Sequence, residues 1–249
     1  MRPLTIALAA FLVAAPAVHA AELSTYDPIG FSPDGAVFAF AEHGVQDGSG
    51  APYANGFAID VEDDAFVAGT PVRLGGGEPG DLSQAETFAR LEGLRAQARA
   101  AIEEATGEGR WRRGDVLMFS PVTDLGRDGT EVTVNPRYIP GVIEGALTAR
   151  LEAIPFANDT NGCPDFGRPI VGFRLTVEDG HHLVTLNEDA SVPSSRGCPT
   201  GYRIGGIETH HPPDGTRSLA VLVQMSTIGF EGDDGRWLAV THRGPLGTD

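Results

Sequence analysis

The chain has 249 residues, with 18 basic side chains, all of them arginine, against 34 acidic ones and a formal charge of −16. That balance argues against nucleic acid and anionic lipid as partners, because both require basic surface. The absence of lysine excludes Schiff-base catalysis and a phosphate-gripping lysine.

The first twenty residues read as a secretory signal peptide. Arg2 supplies the positive start, residues 4–18 form an apolar run, and Val18-His19-Ala20 fits the small-residue cleavage rule. No second apolar stretch of about 18 residues follows, so no membrane span is expected. The expectation is cleavage after Ala20 and a soluble, secreted or periplasmic domain over residues 21–249.

Residues 30–61 predict two strands. Asp34-Gly35 is a turn dipeptide, and the runs 37–40 and 57–61 are apolar with strand character. The polar connection 45–55 between them carries Asp47, Ser49, Tyr53 and Asn55, which could converge on a ligand. Ordinary turn chemistry is the competing reading. Residues 75–80 are a Gly/Pro break, and no GK[ST] follows to make a phosphate loop.

A helix is predicted over 82–105. Asp81 is the expected N-cap with Gln84 three residues on, Phe88, Leu91, Ala98 and Ile102 recur at helical spacing, and Gly107 ends the pattern. The Ala-rich stripe suits packing on a sheet. Arg110-Trp111-Arg112-Arg113 is the concentrated basic patch, readable as an anion site or as closure of the helix C-terminus.

From residue 115 onward strand follows strand: 116–119, 131–134, 142–154, 169–177, 182–186, 202–208, 218–228 and 237–241. Arg150 and Glu152 alternate with Ala149 and Leu151, and Arg174 and Thr176 with Phe173 and Leu175. This is the pattern of antiparallel sheet with one wet face. The fold class is therefore α+β, predominantly antiparallel β-sheet with one long amphipathic helix. Cys163 and Cys198, the two cysteines, read as a disulfide in an exported protein, with a catalytic thiol as the alternative. Arg196, beside Cys198, could be held by that bridge for an anionic partner, or could belong to a stapled surface loop.

Five strands are entered through Asp-Gly, at Asp34, Asp128, Asp179, Asp214 and Asp234. The SPDG of residues 32–35 resembles the blade motif of TolB-type β-propellers. The intervals of 94, 51, 35 and 20 residues, with a helix inside the first, argue against a regular propeller. GFSPDGAVFAFAEHG is echoed by GFEGDDGRWLAVTHRG at the other end, which suggests that both chain ends serve one framework. FSPDG…FAF…HGVQDGSG-x-PYAN…IDVE, SSRGCPTGY and MSTIGFEGDDGRWLAVT together resemble a bacterial family of predicted secreted proteins of unknown function. The resemblance implies export and brings no catalytic residues.

The adjacent pairs His181-His182 and His210-His211 suggest a metal set of Asp179, His181, Glu208 and His210. Neighbouring strand residues face opposite ways, so each pair gives one ligand per face. The turns 158–162 and 231–235 are rich enough in oxygen to ligate calcium, but neither keeps an EF-hand register. No G-x-S-x-G is present. No cofactor is expected. The expected function is non-enzymatic, an exported binding or envelope-associated protein with a protein or small-molecule partner in the cell envelope. The alternative is a periplasmic hydrolase or a calcium- or metal-dependent enzyme using loop Asp and His.

Overall fold

The computed structural model describes residues 21–76, 82–124, 126–136, 138–139, 142–143, 145–157, 160–165, 167–229 and 232–246. In chain order the elements begin with β1 (Thr25–Phe31), β2 (Val37–Val45), β3 (Pro52–Asp60), β4 (Ala65–Phe66) and β5 (Val72–Gly75), followed by the helix α1 (Gln84–Thr106). Then come β6 (Asp115–Phe119), β7 (Glu131–Val134), the short pair β8 (Tyr138–Ile139) and β9 (Val142–Ile143), β10 (Leu147–Phe156), β11 (Ile170–Glu178) and β12 (Leu183–Glu188). The chain closes with β13 (Pro199–His210), β14 (Ser218–Ile228) and β15 (Asp233–Arg243). The expected signal peptide and most of the Gly/Pro break lie outside the described residues.

Among the described residues three larger antiparallel sheets and the helix stack in layers, and β8 and β9 form a separate two-stranded pair. The N-terminal sheet runs β1-β2-β3-β4, with β5 also on β3; the central sheet runs β15-β14-β13-β6; the outer sheet runs β12-β11-β10-β7. On the N-terminal sheet, Ala39, Ala41 and Ala58 meet Ile102 of α1. The opposite face carries Phe38, Phe40, Phe57 and Ile59 against Ala220, Leu222 and Trp237 of the central sheet. Leu219, Val221 and Val223 point the other way, onto Phe173, Leu175 and Val177 of the outer sheet. Period-2 alternation thus serves two cores from one strand. That is why β14 is buried from Ser218 through Met225 without a polar face.

The outer sheet has the expected wet face. Arg150 bridges Glu131 and Glu178, and Arg174 reaches Glu152 and Glu188 across the strands. The helix is as expected in place but differs in two details. Its N-cap is Ser83, which makes a capping box with Glu86, while Asp81 lies outside the described residues. Phe88 is exposed, because the buried stripe starts at Leu91 and continues through Ala98 and Ile102. The predicted strand 142–154 divides into β9 and β10.

The SPDG segment is a docking turn. Ser32 Oγ donates to Asp34 Oδ1 and accepts from Val37 N, and Gly35 sits at φ 71°. Gly35 O accepts from Ser218 Oγ at 2.7 Å, and a Cβ on Gly35 would strike that hydroxyl. His210 adds a contact to Pro33 O and stacks on Phe31. Residues near the two ends of the described chain meet. β1 and β15 belong to different sheets, but Leu23 forms a parallel bridge with Gly235, with Ser24 N donating to Gly235 O and Gly235 N to Glu22 O.

A candidate binding cleft at the edge of the central sheet

β15 is the edge strand of the central sheet: among the described residues its ladder partner is β14, with a single bridge to Leu23 at Gly235. An open edge presents a row of backbone N–H and C=O groups that natural proteins cover. Here the cover is made of carboxylates. Glu42 on β2 accepts from Trp237 N at 2.9 Å and from Asn55 Nδ2 at 2.9 Å. Asp64, in the turn after β3, accepts from Thr241 N at 2.7 Å and from Thr241 Oγ1 at 2.8 Å. Glu42 is 2 % exposed. Burial pushes its pKa up, against the pull of its two hydrogen bonds and of Arg236 and Arg73. Asp64 is exposed as a residue, but its carboxyl points inward at Thr241, and the lost solvation raises its pKa too.

Along this edge the three sheets part to leave a cleft of two adjoining lobes, of about 390 and 450 Å³. Both lobes share Phe57, Arg73, Ser195, Arg196, Trp237 and Leu238. The N-terminal sheet supplies Phe57 and Arg73, the central sheet Trp237 and Leu238, and a 3₁₀ turn (Ser194–Arg196) supplies the third wall. Trp237 is held from two sides, by the Glu42 contact and by its indole Nε1 donating to Ser24 O at 3.0 Å. Phe66, half exposed, stands at the mouth of the second lobe.

The third wall is rigid because Arg196 is fixed three ways. Its guanidinium donates to Asp189 Oδ2 at 2.6 Å and lies over the rings of Phe173 at 4.8 Å and Tyr202 at 5.7 Å. Asp189 also accepts from Phe173 N at 2.8 Å. The Cys163–Cys198 disulfide is formed, two residues beyond Arg196. Asn161 Nδ2 donates to Val192 O and Gly197 O, tying the same loop to the 3₁₀ turn (Thr160–Gly162). Burial pushes the Tyr202 hydroxyl up to about 12, keeping it neutral beneath the arginine.

The residues singled out from sequence fall in several places. Tyr53 and Asn55 are on β3, not in the connection, which is shortened to residues 46–51. Tyr53 bonds Ser24 Oγ at 2.6 Å and lies under Arg236, itself paired with Glu22, while Asn55 braces Glu42. Both thus support the inner end of the cleft. Asp47 and Ser49 stay in the turn, where Asp47 N donates to Glu22 Oε2 and Ser49 Oγ to Gln46 Oε1.

Asp179 and His181 sit together on the turn after β11, beside Asp214 and Thr216. Glu208 and His210 face the N-terminal sheet instead, where Glu208 accepts from the Tyr26 hydroxyl at 2.9 Å. The four are not brought together, and among the described residues no group of three or more His, Cys, Asp or Glu could hold a metal ion. The oxygen-rich turns 158–162 and 231–235 lie partly outside the described residues. Arg112 exchanges backbone bonds with Phe31, which ties the segment carrying the basic patch to β1.

Glu42, Asp64, Arg73 and Trp237 escaped the sequence reading. Glu42 had a signal: it continues the Phe38, Phe40 phase of β2, and an acid on the aromatic face of a strand must be bonded on burial. Arg73 had none.

Among the described residues no helix is long and apolar enough to cross a membrane. No curated protein and no solved structure matches the chain. A family model does match, over residues 39–243, which takes in every wall of the cleft. The chain belongs to the family described as predicted secreted protein (DUF2259).

Proposed function

We propose that this is an exported binding protein, a single β-rich unit released after cleavage near Ala20, that holds its ligand without catalysis in the cleft along β15. The observation that carries the reading is the composition of the cleft. Its floor is aromatic and aliphatic, with Phe57, Trp237 and Leu238, and arginines stand at its walls. Apolar floor with a few convergent polar groups is the usual character of a small-ligand site. Ser195 supplies a hydroxyl, but among the described residues no histidine lines either lobe to act as its base. The cleft walls are fixed by bonds from three sheets and a disulfide, so the site is formed in advance.

Protein-observed NMR with a fragment library rich in aromatic and carboxylate compounds tests this. Hits that shift the Trp237 indole and the residues 193–198 support the reading. A library with no hits there, or with hits confined to other surfaces, would remove it.

A further inference from the structure

We infer that the occupant of the cleft is a short, extended, acidic peptide segment that pairs its main chain with Ala239 on the edge of β15. The inference rests on the cleft being the binding site. In an antiparallel pair, outward N–H and C=O groups recur at every second residue of the edge strand. On β15 the row is marked by Gly235, Trp237 and Thr241, whose amides donate to Glu22 O, Glu42 Oε2 and Asp64 Oδ1. Ala239 stands between the last two in the same row, so its N–H and C=O face outward as theirs do. It lines the second lobe with Trp237, Leu238 and Val240, and among the described residues the main-chain pairing on that side of β15 is confined to the bridge at Gly235.

One donor and one acceptor of a single residue, set in a half-buried apolar groove, match one residue of an added strand. A ligand without an amide leaves both unanswered. The carboxylates of Glu42 and Asp64 close the row at Trp237 and Thr241, four residues apart, about 13 Å at strand rise. They limit pairing to the single residue between them and block a long added strand. The segment crosses the cleft rather than extending the sheet.

Charge selects the sign of its side chains. Arg73 lines both lobes, is exposed, and makes no ion pair among the described residues. Arg196, already held by Asp189, lines both lobes as well. On a chain of net charge −16, this is where an acidic side chain meets arginine. Phe57, Ile59 and Phe66 receive the alternate, apolar side chains.

The test is a phage-displayed random decapeptide library panned on the folded protein, followed by fluorescence anisotropy with the selected peptides as labelled synthetic probes. Ala239→Pro deletes the outward amide and leaves the ladder to β14 intact, since proline is tolerated at an edge. The expected result is net-acidic peptides that bind the wild type and lose at least tenfold in affinity for both Ala239→Pro and Arg73→Glu. If Ala239→Pro fails to give a cooperative melt, an N-methyl scan of the peptide substitutes, and one methylated amide should cost the same factor. No enrichment, enrichment of basic peptides, or peptides indifferent to both the proline and the methyl scan would overturn the inference. Fragment hits in the cleft together with any of those outcomes would leave the binding reading standing and sink the peptide.

Discussion

The carboxylate of Glu42 takes the backbone N–H of Trp237 at 2.9 Å, a side chain of one sheet occupying the place of a partner strand on another. Its other oxygen accepts from Asn55. Glu42→Ala strands the buried Trp237 N–H and the partly buried Asn55 amide at once, and each costs up to about 1–3 kcal/mol. Urea unfolding of the variant should show an unfolding free energy lower by that combined size, and Trp237 fluorescence should shift to longer wavelength as water reaches the indole.

Glu208 sets the sign of one pH effect. It is 1 % exposed, and burial raises its pKa despite the hydrogen bond from Tyr26. A carboxyl raised in the folded state binds its proton more tightly there than in the unfolded chain. Its contribution to stability is therefore greatest in acid and declines as pH rises through the folded value. Glu208→Gln keeps an oxygen for Tyr26 and removes the buried charge. Thermal melts should show the variant gaining on the wild type at pH 8 and losing that gain towards pH 4.5. An advantage that does not change with pH would contradict this account.

Arg196 and Asp189 form a pair whose side chains are 14 % and 5 % exposed. Arg196→Ala leaves Asp189 buried with Phe173 N as its remaining close donor and uncovers two rings. Breaking such a pair costs about 3–5 kcal/mol. Asp189→Asn should cost less, because the amide oxygen still accepts from one partner. Chemical denaturation of the two variants checks both the size and the order.

The Cys163–Cys198 bridge spans 35 residues, and the chain-entropy relation gives about 3–4 kcal/mol for a loop of that length. Reduction, or Cys163→Ser with Cys198→Ser, should lower stability by up to that amount. Hydrogen exchange should rise first at residues 193–198, loosening the cleft wall before the rest. Uniform loss of protection across all three sheets would place the bridge in the global fold instead.

Much of the architecture was legible because it rests on periodicity. The run 218–228 and the alternations around Arg150 and Arg174 are local patterns, and they became β14, β10 and β11 with the expected wet face. The cleft was not legible in that way. Its walls come from residues 57, 73, 196 and 237, which only the stacking of sheets brings together. Arg196 was noticed through its neighbour Cys198, and Glu42 could have been noticed through its phase. Arg73 is a polar residue on a short strand beside a turn, and nothing in the surrounding sequence distinguishes it from a solvated arginine.

The clasp from the first strands to β15 makes assembly depend on contacts distant in sequence. The contacts from Glu22, Glu42 and Asp64 to β15 join residues 177 to 214 positions apart. Until β14 and β15 are made, the face bearing Phe38, Phe40 and Phe57 lacks the cover of Ala220, Leu222 and Trp237. Contacts so distant form late and slowly, and the waiting aromatic face is a surface on which unfinished chains can stick to one another. Truncation within β15 should therefore act far upstream, in the first strands to be made.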